Sequence, residues 1–119
     1  MSAFQYEILV QNGIVIIRFY SKATAKDIIE LLELIAEKYP TEKRLWDLTQ
    51  CDFNVSYKEL SAIAEHSKGI FEGPCKIAFL TPQGFTYGQI NQFRIHREDD
   101  RCQVMQFLAL DDAMAWLNN

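Results

Sequence analysis

The chain has 119 residues, of which 49% are hydrophobic and 24% are charged, and this composition is typical of one globular domain spanning residues 1–119. Its formal net charge of -4 at pH 7 argues against nucleic-acid binding, because a nucleic-acid-binding domain normally carries a basic face. The sequence has neither a signal-peptide pattern nor the roughly 20 consecutive apolar residues of a membrane span, so we expect no integral membrane segment.

The first two predicted strands form a hairpin. Residues 4–10 alternate between apolar and polar side chains, which is the period of a half-buried strand. The dipeptide Asn12-Gly13 follows, and it is a strong hairpin signal because both residues tolerate a positive φ. Residues 14–20 are β-branched and nearly all apolar, which predicts a strand nearer the centre of the sheet.

Two amphipathic helices flank the next predicted strand. Thr24 has the properties of an N-cap for the first helix, which must end before Pro40. The short apolar run over residues 45–48 predicts a buried strand. Ser56 and Glu59 then form the S-x-x-E pattern of a capping box, which predicts the start of the second helix.

The carboxyl-terminal half continues the alternation of strand and helix. We predict strands over residues 75–80 and 103–109, a helix over residues 85–96, and a last helix over residues 112–117 that Asp111 caps. The order β-β-α-β-α-β-α-β-α predicts a single α/β domain with a mostly parallel five-stranded sheet. The first hairpin strand would be its antiparallel edge.

Several phrases of the sequence, in their order and spacing, resemble the SpoIIAA-like proteins, which are relatives of the STAS domain (sulphate transporter and anti-sigma-factor antagonist). The phrases are NGI in the hairpin, LLELI in the first helix, RLWDLT, SYKELSAIAE, KIAFLTP followed by FTYGQINQF, and FLALDDAMAWL. The resemblance implies the SpoIIAA-type fold, which also occurs in the lipid-binding domain of Sec14-like (CRAL-TRIO) proteins.

The resemblance also draws attention to Ser56. In STAS antagonists, a Ser or Thr just before the second helix accepts a phosphate from a partner kinase, usually within an Asp-Ser-x-Gly phrase. Ser56 stands at the matching place, but the phrase here reads CDFNVSYKEL and lacks that motif. Ser56 is therefore a candidate phospho-acceptor by resemblance and a candidate helix cap by its own context.

The sequence contains no motif for catalysis or for a metal site. It has no Gly-rich phosphate loop, no G-x-S-x-G and no H-E-x-x-H, and both of its histidines stand late in predicted helices. We therefore expect a protein that is not an enzyme and that uses no cofactor and no metal.

The three cysteines are widely spaced and odd in number, which favours a reducing cytoplasm over a disulfide scaffold. Cys51 lies in a loop near a helix start and is a candidate reactive thiol. Cys75 and Cys102 stand at the starts of two predicted strands. We expect both to be small core residues. They would also be able to bridge under oxidation if those strands are neighbours, and the sequence leaves this question open.

Asp47 interrupts an apolar strand, where a buried carboxylate is costly unless it accepts hydrogen bonds. Two interpretations remain open. Asp47 either accepts bonds from backbone N–H groups and holds the following loop, or contacts a ligand or partner directly.

A second unusual segment, residues 77–93, carries no charged side chain and mixes aromatic residues with neutral amides. This composition suits an interface or a pocket wall, while packing against the protein's own helices would explain it equally simply. In a parallel sheet, this segment and the loop after residue 48 leave the same edge, where α/β sheets place ligands. The candidate contact residues there are Asp47, Thr49, Cys51, Ser56, Tyr57, Thr81, Phe85 and Tyr87.

These features predict a non-catalytic cytoplasmic binding or regulatory module whose partner is a protein, or a second copy of the chain in a homodimer. The wide apolar face of the first helix and the resemblance to Sec14-like folds support an alternative, a carrier of an apolar small molecule such as a lipid or fatty acid. A phosphorylation-switched antagonist of the STAS type, acting through Ser56, is the third hypothesis.

Overall fold

The structure, a computed structural model, describes residues 4–51, 55–82 and 85–119, with the side chains of these ranges apart from residues 85–87. Its helices and strands are β1 (Tyr6–Gln11), β2 (Ile14–Phe19), α1 (Ala25–Lys38), β3 (Lys43–Asp47), α2 (Tyr57–Ile70), β4 (Cys75–Leu80), α3 (Phe85–Arg97), β5 (Cys102–Phe107) and α4 (Leu110–Leu117). The predicted order is confirmed, and the predicted boundaries differ from these by at most about two residues, which is ordinary for helix and strand ends.

The five strands form one sheet in the order β1-β2-β3-β4-β5. β1 and β2 are antiparallel, and Asn12 and Gly13 between them have φ values of 54° and 76°. The remaining pairs are parallel. The predicted mostly parallel sheet with an antiparallel edge strand is therefore confirmed.

Helices cover both faces of this sheet. Because β2 to β5 follow one another in sheet order, crossovers of the same hand place α1, α2 and α3 on one face. Their buried side chains form a large cluster with Val15, Ile17, Trp46 and Phe79 of the strands. The chain then reverses after β5, and α4 packs on the other face. The smaller cluster there contains Ile16, Leu45, Ala78, Ala113 and Leu117.

The starts of α1 and α2 are fixed by complete capping boxes. Thr24 accepts a hydrogen bond from the backbone N–H of Asp27, and the Asp27 carboxylate accepts one from the backbone N–H of Thr24. Ser56 and Glu59 exchange the same two bonds at α2. Each box satisfies N–H groups that a helix start would otherwise leave without a partner.

The start of α4 differs from the prediction. Asp111 does not cap this helix, because α4 begins at Leu110 and its N-cap is Ala109, whose side chain makes no capping hydrogen bond. Asp111 lies instead in the first turn, where a negative charge is stabilised by the helix dipole. None of the helices within the described residues is long and apolar enough to cross a membrane.

Candidate functional site

The ends of β3, β4 and β5 lie together at one side of the sheet, which we call the carboxyl edge. Asp47, Leu80 and Phe107 stand side by side in the strand register. The Leu48 N–H donates to the Leu80 carbonyl (2.9 Å), and the Thr81 N–H donates to the Phe107 carbonyl (3.0 Å). The loops that follow these strands therefore leave from the same edge.

Asp47 is engaged within the protein at this edge. Its Oδ1 accepts hydrogen bonds from the backbone N–H (3.0 Å) and the hydroxyl (2.6 Å) of Thr49. Its Oδ2 accepts one from Arg18 Nε on β2 (3.3 Å), which stands opposite Asp47 in the register. The carboxylate therefore holds the start of the loop, as the first interpretation required, and the arginine that neutralises it was not evident from the sequence.

The starts of α2 and α3 meet above the edge. Tyr57, in the first turn of α2, is 57% exposed. A Cβ atom at Gly88 of α3 would lie 3.4 Å from the Tyr57 hydroxyl oxygen, so glycine permits this close approach. Gln89 Nε2 donates to the Val55 carbonyl (2.6 Å) and ties α3 to the segment before α2. The predicted convergence of the two loop regions agrees with these contacts.

The other candidate residues differ in accessibility. Ser56 is exposed and its hydroxyl oxygen serves the α2 capping box. Thr81 is completely buried, and its Oγ1 accepts a hydrogen bond from Gln106 Nε2 (2.8 Å), so it lies beneath the edge. Cys51 is half-buried, with its Sγ donating to the Leu48 carbonyl (3.6 Å). The side chains of Phe85 and Tyr87 lie outside the described ones.

Two exposed leucines at this edge were missed by the sequence analysis. Leu108 is 55% exposed and Leu110 is 38% exposed, and both follow β5. The apolar phrase FLALDD predicts a strand that continues to residue 109, but β5 ends at Phe107. Leu108 therefore leaves the sheet with its apolar side chain facing solvent.

The opposite side of the sheet, where β3, β4 and β5 begin, we call the amino edge. It contains two buried arginines. Arg44 Nη1 donates to the Thr41 carbonyl (3.0 Å), and its guanidinium lies 3.9 Å above the Phe71 ring. Burial, together with the positive charge of Arg97, lowers the pKa of Arg44 to about 10. The sequence does not show that these two arginines are buried, because each is a single charged residue next to a polar turn.

Arg97 is the second of these arginines. Its Nε donates to Ser67 Oγ (3.1 Å), and its Nη2 lies 3.3 Å from Cys75 Sγ. Burial lowers the pKa of Arg97, and the nearby carboxylate of Asp99 acts in the opposite direction. This carboxylate lies 3.9 Å from Arg97 Nη1, so the ion pair is long.

The interior beneath α1, α2 and α3 is nearly filled. The cavity that remains there measures about 30 Å³, and its lining includes Leu60, Ile63, Phe79 and Ile90. This volume is close to that of one or two water molecules. In addition, no group of three His, Cys, Asp or Glu residues in the described part of the chain is arranged to hold a metal ion.

No protein-family model matches the sequence, and no curated protein matches it. Solved structures do match. The anti-sigma factor antagonist SpoIIAA in its unphosphorylated form is 15% identical with a TM-score of 0.58, covering 98% of this chain and 99% of that chain. SpoIIAA of Bacillus in its phosphorylated form is 13% identical with a TM-score of 0.50, covering 96% and 98%.

A third similar structure is an uncharacterised protein of the DUF3478 family with a SpoIIAA-like fold, from Shewanella loihica PV-4. It is 18% identical with a TM-score of 0.58 and covers 98% of both chains. Similarity at this level of identity shows the fold, and it extends over almost the whole chain. Together with the strand order and helix placement, it shows that this chain has the SpoIIAA-like, STAS-like fold that its sequence phrases resemble.

Proposed function

We propose that the chain is a non-catalytic cytoplasmic binding or regulatory module that contacts a protein partner through its carboxyl edge. One observation carries this proposal. Among the described residues of the edge, the side chains of Asp47 and Thr81 are engaged internally, whereas the apolar or aromatic side chains of Tyr57, Leu108 and Leu110 are exposed to solvent.

The balance of polar and apolar groups favours a protein over a small polar ligand. A small-ligand site needs a few convergent polar groups that are available to the ligand. Protein interfaces instead bury aromatic and apolar side chains on a surface surrounded by polar residues, and tyrosine is enriched among the residues that dominate binding energy. The fold is also that of an anti-sigma factor antagonist, a regulator named for its effect on another protein.

The carrier alternative gains no support from the interior. A lipid or fatty acid requires a pocket of at least about 300 Å³. The cavity under the three helices is about 30 Å³. An acyl chain would therefore have to displace the buried side chains of the main core cluster.

Phosphorylation of Ser56 would act against its present hydrogen bonds. The Glu59 carboxylate accepts a bond from the Ser56 backbone N–H (3.1 Å), so a phosphate on Ser56 would lie beside another negative charge. We therefore expect any phosphate there to open the capping box at the partner-facing edge.

Site-specific photo-crosslinking tests the proposal. A benzophenone amino acid would replace Tyr57 or Leu108 at the carboxyl edge, or Ile95 as the control, and cells of the source organism would be irradiated. Ile95 is a suitable control because it is 66% exposed and lies late in α3, away from this edge. We expect the same protein adduct from positions 57 and 108, identified by mass spectrometry, and none from position 95.

The outcomes separate the hypotheses. An adduct of twice the chain mass from positions 57 and 108 identifies a second copy of the chain as the partner. Adducts of equal yield from position 95, or no protein adduct from either edge position, would contradict the proposed docking surface.

A further inference from the structure

A groove of about 390 Å³ opens at the amino edge. It lies between the ends of α1 and α2 and the start of β4, and its lining includes Arg44, Ile70, Phe71, Pro74 and Cys75. The proposed function uses the opposite edge, so this groove has no part in it.

Two cysteines stand opposite each other beside the groove. Cys75 and Cys102 begin the neighbouring strands β4 and β5 and are paired in the register, with their Cα atoms 4.6 Å apart. Their Sγ atoms are joined as a disulfide. Cys75 is 6% exposed and lines the groove, whereas Cys102 is 1% exposed. A small molecule in the groove would therefore reach Cys75 first.

The surroundings of Cys75 favour a negatively charged sulfur. Arg97 Nη2 lies 3.3 Å from Cys75 Sγ, and Ser67 holds this guanidinium through Nε. Arg44 adds a second buried positive charge close to Arg97. The opposing carboxylates are Asp99, at 3.9 Å from Arg97, and Glu42 and Glu72, which line the groove and are exposed to solvent. A neighbouring cation stabilises the thiolate, which is both the nucleophile and the leaving group in thiol exchange.

We propose that Cys75 and Cys102 form a reversible redox site that exchanges with low-molecular-weight thiols and disulfides in the amino-edge groove, with Arg97 as the residue that positions and activates Cys75. In the reduced protein, the Cys75 thiolate attacks a small disulfide RSSR, forms a Cys75–SR mixed disulfide and releases RS⁻. The Cys102 thiolate then attacks Cys75 Sγ, the protein disulfide forms and the second RS⁻ leaves. The two protein thiols are oxidised, RSSR is reduced to two RSH, and the two protons of the protein thiols pass to the two RS⁻.

A glutathione titration tests the site without altering Arg97. The experiment uses folded protein with the substitution Cys51→Ser, which removes the third thiol. The protein would be equilibrated at increasing ratios of reduced to oxidised glutathione and quenched with acid. Its free thiols would then be alkylated and counted by mass spectrometry. We expect the number of alkylated thiols to rise from zero to two while circular dichroism stays native. A disulfide that resists excess reduced glutathione until the protein is unfolded would overturn the proposal, as would two thiols that persist in excess oxidised glutathione.

The role of Arg97 is tested in protein with Cys51→Ser and Cys102→Ser, where only Cys75 reacts. We expect Arg97→Met to slow formation of the mixed disulfide with oxidised glutathione by roughly fivefold to tenfold, because the thiolate loses its neighbouring cation. Arg97→Lys, which keeps the charge, should recover most of the rate. Arg94→Met is the matched control, since Arg94 lies on the surface of the same helix and pairs with Glu98 just after the helix end. Equal rates in Arg97→Met and Arg94→Met would remove Arg97 from the site.

Discussion

Asp47 shows how one buried charge fixes the end of a strand. Its two oxygens serve different groups, Thr49 in the following loop and Arg18 on the neighbouring strand. Asp47→Asn keeps the shape but removes the charge and presents an N–H to one of these partners. We expect the free energy of unfolding, measured by urea denaturation, to fall by about 1.5–3 kcal/mol, the range for hydrogen bonds to charged groups.

Glu7→Gln is the control for this substitution. Glu7 lies 3.6 Å from the same Arg18, but its side chain is 43% exposed. Exposed ion pairs contribute about 0–1 kcal/mol, because water already stabilises both charges. If both substitutions lower the free energy of unfolding equally, the burial of Asp47 is not what makes its ion pair important.

Arg44 is a buried cation whose hydrogen bonds are incomplete. Its Nη2 has no hydrogen-bond partner among the described residues. The bond to Thr41 and the contact with the Phe71 ring stabilise the guanidinium by about 1–2 kcal/mol together. Removing a charge of this size from water costs several kcal/mol. We therefore expect Arg44→Met to raise the free energy of unfolding by about 1 kcal/mol.

The pKa of Arg44 sets the pH range of this effect. The pKa is about 10 in the folded protein, below that of an unperturbed arginine. The penalty of burying the charge is therefore fully present below about pH 10 and is lost as the pH rises above this value toward the pKa of an unperturbed arginine. The difference in free energy of unfolding between the Arg44→Met variant and the unsubstituted protein should stay constant from about pH 6 to about pH 9. A difference that vanishes within this range would contradict the assignment.

At the scale of single helices, the two capping boxes offer a matched comparison. Ser56→Ala removes the acceptor for the Glu59 N–H, and Thr24→Ala does the same for Asp27. Each substitution should lower the free energy of unfolding by about 1 kcal/mol. Ser56→Asp should leave it nearly unchanged, because aspartate is also a good N-cap.

This comparison separates the structural role of Ser56 from a role in signalling. If Ser56→Ala and Thr24→Ala cost equally in chemical denaturation, the capping hydroxyl accounts for the effect on stability. If Ser56→Ala lowers the free energy of unfolding several times more than Thr24→Ala does, then Ser56 makes contacts beyond its capping hydrogen bond.

Local signals explain why most elements were predictable. The Asn12-Gly13 turn and the two capping boxes each depend on residues within four positions of one another. The errors arose where local signals conflict. Asp111 resembles an N-cap, but the chain has already entered α4 at Leu110. The sequence predicts the end of β5 two residues too late, because an apolar run does not show where its pairing with β4 stops.

At the scale of the whole molecule, the sequence predicts which strand ends converge but not which side chains meet. Parallel pairing was enough to place the loops after β3 and β4 on the same edge. The partners Arg18 and Asp47 are separated by 29 residues. Cys75 and Cys102 are separated by 27. Such pairs depend on the strand order and register, which no short phrase of the sequence encodes.

The small size of the cavity beneath α1, α2 and α3 leads to a prediction about ligands of the whole chain. A cavity of about 30 Å³ cannot contain an acyl chain. Enlarging the cavity to fit such a chain would separate the side chains of the main core and lose their packing against one another. Native mass spectrometry of freshly purified protein should therefore show the bare chain or an integral multiple of it, also after incubation with a molar excess of oleate and desalting. A stable adduct in the mass range of a lipid or fatty acid would show that the interior opens, and would favour the carrier over the protein-binding module.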